Sequence, residues 1–279
     1  FFLRVPKRIY TCRGFRFEHE IGVKRKVLIV MEKLTSLFAH KVICISRSLR
    51  DFAIKEKIFK KNKTLVIHNG SSNGIDLSLF NPNEEIYHKV KRELQQKFDF
   101  KNKFVFGFLG RIVDDKGINE LFEVFCELYE ENNQVRLFLV GPFEMSQVTN
   151  KNLINQINQH PGIINYGRVK QEEVPGFMLT MDIFVLPSHR EGFGNVYIQA
   201  AAIGIPCIGY NIVGVKDSVS DGFNGILVPI KNKLKLKEAM IKLMKDKEMR
   251  SIYGAKGIEW AKNFNREIIW QELHKIYQS

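Results

Sequence analysis

Residues 190–206 read REGFGNVYIQAAAIGIP. Glu191 stands on a turn beside Gly192, Phe193 and Gly194, and Asn195 opens a small-residue run that ends at Ile205-Pro206. Flanking glycines keep side chains away from the carboxylate and let backbone approach a ligand closely. A helix beginning at Asn195 turns unpaired N–H groups toward the same space. A carboxylate beside anion-binding amides suits a ligand that carries both hydroxyls and phosphates. An acid that merely interacts with the helix dipole is the plainer reading of the same residues.

A second stretch, GFLGRIVDDKG at 107–117, pairs Gly107 and Gly110 with Arg111 and Lys116. Two cations on a short loop before a helix N-terminus make a diphosphate site. By itself the stretch reads equally as a solvated basic loop. Asp114 and Asp115 are adjacent and Asp99 is isolated, so no D-x-D carboxylate pair is present. Seven His and four Cys offer no metal-ligand spacing, and no metal is expected. Cys12, Cys44, Cys126 and Cys207 are dispersed and mostly apolar-flanked, which reads as reduced core thiols in a cytoplasmic protein. His189, Arg190, Trp260 and Trp270 read as structural.

Strands and helices that would hold these loops alternate along the chain. Residues 8–12 predict a strand ending in the turn RGFRFE, and 24–39 predict a helix with apolar groups at 27, 30, 31, 34, 37 and 38. KVICIS is a short buried strand, with Ser46 placed to cap the next helix. KTLVIHNG predicts another strand, GSSNGID a turn cluster and LFNPNEE a loop. From Lys103 onward, FVFGFLG, VRLFLVGP, IINYGRV, DIFVLPS, IPCIGY and GFNGILVP are strands with room for helices between them. Residues 118–131, 232–247, 247–263 and 265–279 are helical. Continuous apolar strands separated by helices argue for an α/β fold whose parallel sheets are covered on both faces. Two α/β halves meet near 70–102, and ligands bind such sheets at the carboxyl ends of the strands. The first half holds only about three strands, too few for a domain of ordinary size, ~100–200 residues.

Taken in order, G-R-x4-KG, strand-YGRV, PS-x2-EGFGN-x4-Q, G-x-PCI and DG-x-NG-x-LV resemble glycosyltransferase family 4. The resemblance spans about residues 8–265 and is strongest over 104–230; YTCRG and NGSSNGID look like the family's bacterial polysaccharide members. It implies the GT-B architecture, two Rossmann-like domains facing across a cleft. Residues 1–100 would be the remainder of the acceptor-side domain plus linker. Residues 101–264 would bind the nucleotide sugar, and 265–279 would pack back on the first domain. The first domain would be incomplete, and since the sequence opens on Phe1 rather than Met it reads as an N-terminally truncated fragment.

The resemblance further implies a retaining sugar transferase using a UDP-sugar, with no cofactor or metal. Arg111 and Lys116 would hold the donor pyrophosphate and stabilise the leaving diphosphate, and Glu191 would bind hydroxyls of the moving sugar. Gly110 would let the backbone approach the ligand. Phe193, Gly194, Asn195 and Val196 would shape the sugar pocket, and backbone at Arg168 and Val169 would meet the base. Gln199 stands where relatives have a second glutamate for the ribose, and can accept without charge. Arg13 stands where many relatives have a histidine, either meeting a phosphate near the cleft or remaining a surface charge.

Charge is concentrated at the front. Residues 1–100 carry 21 Lys/Arg against 10 Asp/Glu, while the rest carries 22 against 20. An anionic partner there is implied, either the inner face of the cytoplasmic membrane or nucleic acid. No nucleic-acid-binding signature accompanies the charge, so the membrane is favoured. The leading expectation is an enzyme that passes a sugar to a glycan or lipid-linked acceptor in polysaccharide biosynthesis. A nucleotide-sugar epimerase, a nucleic-acid binder and an inactive fragment are the alternatives.

Overall fold

The computed structural model describes residues 5–278, and for His19 the backbone alone. The first three strands, β1 (Ile9–Cys12), β2 (Lys41–Cys44) and β3 (Thr64–Leu65), form a parallel sheet in that order. Helices α1 (Gly22–Phe38) and α2 (Arg47–Lys55) make the crossovers. Ser46 caps α2 as its sequence position predicts, its Oγ accepting the Leu49 N–H at 3.2 Å. The strand expected over KTLVIHNG shrinks to two residues. Beyond it the chain turns at Gly70, with φ of 103°, where a Cβ would sit 2.8 Å from the Ile45 carbonyl oxygen.

The larger sheet holds β4 (Phe104–Leu109), β5 (Val135–Val140), β6 (Ile163–Gly167), β7 (Ile183–Leu186), β8 (Cys207–Tyr210) and β9 (Gly225–Val228). All neighbours are parallel, in the order β6-β5-β4-β7-β8-β9. The chain therefore builds outward from β4 on one side, then returns to β7 on the other. Crossovers diverge at the β4/β7 junction, which opens a crevice at the strands' carboxyl ends. β5 is buried throughout and β7 likewise, as continuous apolar strands covered on both faces must be. The covering helices include α4 (Ile118–Glu131), α5 (Lys151–Gln159), α6 (Val174–Met178), α7 (Asn195–Ala202), α8 (Val215–Ser218), α9 (Lys233–Lys245) and α10 (Lys247–Ala261).

Two features depart from the sequence reading, and a third answers what it left open. Helix α3 (Glu85–Lys97) occupies much of the stretch read as a junction. It buries Tyr87 and Leu94, and Val90 lies where a Cβ on Gly176 of α6 would be 2.8 Å away. The apolar stripe expected on α1 is exposed: Val27, Val30, Met31, Leu34, Leu37 and Phe38 all face outward. Leu28, Ile29 and Ser36 face inward instead, and Glu32 accepts from the Tyr10 hydroxyl at 2.8 Å. Trp260 packs, donating to the Ser218 carbonyl at 2.9 Å, but Trp270 is half exposed under the Arg266 guanidinium. The last helix, α11 (Arg266–Gln278), lays Ile269 against Ile43 of β2 and Ile67 just beyond β3, and Arg266 ion-pairs with Asp76 at 2.6 Å.

Candidate active site

The loops after β4 and β7 meet over the crevice. The first closes with a tight turn, Asp114–Lys116, ending at Gly117 with φ of 69°. A Cβ there would lie 2.0 Å from the Pro187 carbonyl oxygen, so only glycine lets the two loops touch. Ser188 Oγ donates to the carbonyls of Asp115 (3.1 Å) and Arg190 (2.9 Å), and the His189 N–H donates to the Asp115 carbonyl at 2.8 Å. His189 Nε2 lies 2.9 Å from Glu120 and Arg190 3.2 Å from Asp115. Burial pushes the Glu120 carboxyl up most strongly of any single cause, but the hydrogen bond to His189, a backbone N–H and the nearby positive charge of Lys231 together hold the group below its ordinary value.

On this base Lys116 Nζ donates to Glu191 Oε1. Their side chains are only 18% and 14% exposed, so the pair is mostly shielded from water. Gly194, at φ 83°, begins α7 without a side-chain cap, and the helix's first turn opens beside Glu191. Across the crevice, the turn after β1 closes down. A Cβ on Gly192 would meet the Arg13 carbonyl oxygen at 2.0 Å. Ser71 Oγ donates to Asn195 Oδ1 at 2.8 Å, tying the smaller sheet's loops to α7.

A cavity of about 400 Å³ results, bordered by Arg13, Gly110, Lys116, Glu191, Phe193, Gly194, Asn195 and Val196. Phe193 is buried and packs 5.2 Å from the Phe264 ring, so it forms wall. Arg111 borders an adjoining cavity of about 300 Å³ instead, and ion-pairs with Glu144 at 2.8 Å. Arg168 and Val169 follow β6 at the sheet's edge, and Gln199 lies half-buried on α7; none of the three borders either cavity. The four cysteines are free, and burial pushes the thiols of Cys12 and Cys44 up to about 12.

Several polar residues at this junction escaped the sequence reading. Asp217 of α8 accepts the N–H groups of Arg47 (3.1 Å) and Ser48 (3.2 Å) and the Ser48 hydroxyl, capping α2 from the other unit. Arg16 borders the second cavity, and so does Arg190, which read as structural. The partners of Asp217 lie 169 and 170 residues away, and no local spacing signals them. Arg16 lay within the basic turn RGFRFE, the signal that was available.

The family model described as "Glycosyl transferases group 1" matches residues 90–260. The chain is 36% identical over 285 residues to the capsular polysaccharide biosynthesis glycosyltransferase CapM of Staphylococcus aureus, covering 100% of this chain and 72% of CapM. It is 29% identical to the UDP-Gal:alpha-D-GlcNAc-diphosphoundecaprenol alpha-1,3-galactosyltransferase of Escherichia coli, over 87% of this chain and 61% of that protein. The crystal structure of Anabaena HepE in complex with UDP superposes with a TM-score of 0.81 at 22% identity, covering 97% of this chain and 71% of that one.

Proposed function

The chain belongs to the glycosyl transferases of group 1, with the GT-B type of α/β fold, and we propose that it moves a sugar from a UDP-sugar to a glycan or lipid-linked acceptor with retention at the anomeric carbon. Its setting in this reading is the synthesis of a surface polysaccharide, as the name of CapM states for that relative. The observation that carries the reading is the Lys116–Glu191 pair at the β4/β7 crevice, beside the uncapped start of α7. A nucleoside diphosphate sugar has matching parts. Its diphosphate meets Lys116, Arg111 and the first N–H groups of α7, where a cation and aligned dipoles lower the energy of the departing diphosphate. Its sugar hydroxyls donate to Glu191. Arg168, Val169 and Gln199 remain assigned to base and ribose through the resemblance alone. Among the described side chains no enzymic nucleophile is evident, which favours attack from the face that the diphosphate leaves.

Titration with UDP, uridine and UDP-sugars tests the donor assignment. We expect UDP to bind at least tenfold more tightly than uridine, and comparable affinities would remove the diphosphate site. Proton NMR of the first-formed product tests the stereochemistry, since an inverted anomeric signal rules out retention. Neutralisation by Arg111 and Lys116 also leads us to expect activity in EDTA.

The reading includes peripheral attachment to an anionic membrane face. It is supported by the exposed stripe of α1 next to Lys24, Lys26 and Lys33, all outward-facing. No helix among the described residues is long and apolar enough to cross a membrane.

A further inference from the structure

A third cavity, of about 490 Å³, lies between the two units and is left unused by the donor. Its volume falls in the range of small-molecule sites, roughly 300–1,000 Å³. Glu18, Arg25 and Phe52 line it from the smaller unit, and Arg190, Asn211 and Lys216 from the larger. Arg190 also borders the cavity of about 300 Å³ that Glu191 lines. The two spaces thus share Arg190, one residue from the carboxylate assigned to the moving sugar.

Three cations, Arg25, Arg190 and Lys216, face one carboxylate, Glu18, across this lining. Asp115 holds Arg190 at 3.2 Å, and the Arg25 guanidinium lies over the Phe17 ring, 5.6 Å from its centroid. Lys216 is exposed and makes no ion pair among the described residues. With Glu18 and Asp115 set against the three cations, one positive charge is uncompensated. That balance suits a single carboxylate better than a doubly charged phosphate. Burial pushes the Glu18 carboxyl up, against the pull of the Arg190 charge, so Glu18 opposes an incoming anion less than a solvated carboxylate would. Half-buried Phe52 offers an apolar wall, and the exposed Asn211 amide can both donate to and accept from hydroxyls. An apolar wall with a few convergent polar groups suits a small cyclic ligand such as a pyranose.

We propose that this cavity is a subsite for a carboxylated sugar, a uronic acid, standing next to the acceptor sugar that receives the transferred one. The inference rests on the glycan-acceptor reading above. The receiving sugar occupies the space beside Glu191, and its neighbour lies past Arg190 with its carboxylate on Lys216 and Arg25. Charge-assisted hydrogen bonds from an ammonium and a guanidinium distinguish that carboxylate from the neutral hydroxymethyl group of an ordinary hexose.

The test is a titration of the nitrogen-labelled chain, read by its amide NMR shifts, with and without saturating UDP. The probes are methyl galacturonoside, methyl galactoside, acetate and inorganic phosphate, at equal ionic strength. The galacturonoside binds the UDP-saturated protein at least fivefold more tightly than each of the other three. Lys216→Gln weakens that binding at least fivefold and leaves UDP affinity within twofold, with an unchanged melting temperature showing that the variant is folded. Arg25→Gln, on the other unit, has the same effect, and Lys216→Arg retains more of the binding than Lys216→Gln. No galacturonoside binding to the UDP-saturated parent overturns the subsite while leaving the donor reading intact. Equal affinity for the galactoside, acetate or phosphate also overturns it, as does galacturonoside binding that survives both Lys216→Gln and Arg25→Gln. Galacturonoside binding that depends on Lys216 in a parent that fails to bind UDP supports the subsite and sinks only the donor reading.

Discussion

Lys116 and Glu191 neutralise each other where a donor would lie, and this makes their substitutions diverge. Lys116→Ala removes a charge-assisted hydrogen bond to phosphate, worth roughly 1.5–3 kcal/mol, or about a ten- to hundredfold rise in the Kd for UDP. Uridine affinity changes little, because uridine carries no phosphate. A Lys116→Ala protein that binds UDP as tightly as the parent would take Lys116 out of the phosphate site. Glu191→Gln keeps shape and loses charge, and Lys116 is then freed from its partner. We expect UDP affinity to hold or rise slightly while transfer from a UDP-sugar falls by about a hundredfold, the size of effect seen when a transition-state hydrogen bond is lost. If transfer persists at half the parental rate, Glu191 does not meet the moving sugar. Gln199→Ala is the direct check on the residue that borders neither cavity. A ribose hydrogen bond is worth ~1 kcal/mol, and unaltered UDP binding in Gln199→Ala would show that the half-buried side chain serves packing instead.

Elements close the cleft through bare backbone. The turn after β1 reaches the Glu191 loop because Gly192 has no side chain, and a Cβ there collides with the Arg13 carbonyl oxygen. Gly192→Ala must therefore shift one turn away from the other. We expect transfer to fall at least tenfold with a melting temperature within a few degrees of the parent, since the shift lies between units rather than inside a core. An active Gly192→Ala enzyme would mean that this approach is dispensable. The two caps of α2 give a contrasting pair. Ser46 caps it from within its own unit, and Ser46→Ala should cost ~1 kcal/mol, read as an earlier denaturant midpoint. Asp217 caps it from α8 of the other unit, so Asp217→Ala loosens the junction as well as the helix. Its effect should appear in transfer as well as in the midpoint, and an effect on stability alone would reduce Asp217 to an ordinary cap.

At the scale of the whole molecule, the asymmetry of charge is carried by the smaller unit. Residues 1–100 hold 21 basic against 10 acidic side chains, and α1 turns its apolar stripe outward among lysines. Each basic residue near an anionic bilayer contributes ~1 kcal/mol. We expect co-sedimentation with anionic vesicles, none with neutral ones, and release by salt as the charges are screened. Replacing Lys24, Lys26 and Lys33 by Glu should abolish the binding while UDP affinity stays within twofold. Equal binding to both kinds of vesicle, or to neither, removes the membrane from the reading.

Local pattern made most elements of the larger sheet legible, because burial on both faces writes a strand as an unbroken apolar run and an amphipathic helix as a 3–4 residue repeat. FVFGFLG, VRLFLVGP and DIFVLPS became β4, β5 and β7 for that reason, and 118–131 became α4. Helix α3 carried the same kind of signal in Tyr87, Val90 and Leu94, obscured by the polar stretch before it. The same repeat marks the apolar face of α1 but not what that face is turned toward, and only the fold shows it turned outward. The glycine-flanked Glu191 and the Arg111–Lys116 loop were visible as chemistry; their meeting was not. It follows from the strand order, which brings β7 beside β4 although the chain visits β5 and β6 in between. Ser71 and Asp217 entered the junction only through folding, since a contact across more than a hundred residues leaves no spacing in the sequence. It exists because two covered sheets are pressed together at the few points where glycine lets backbone touch backbone.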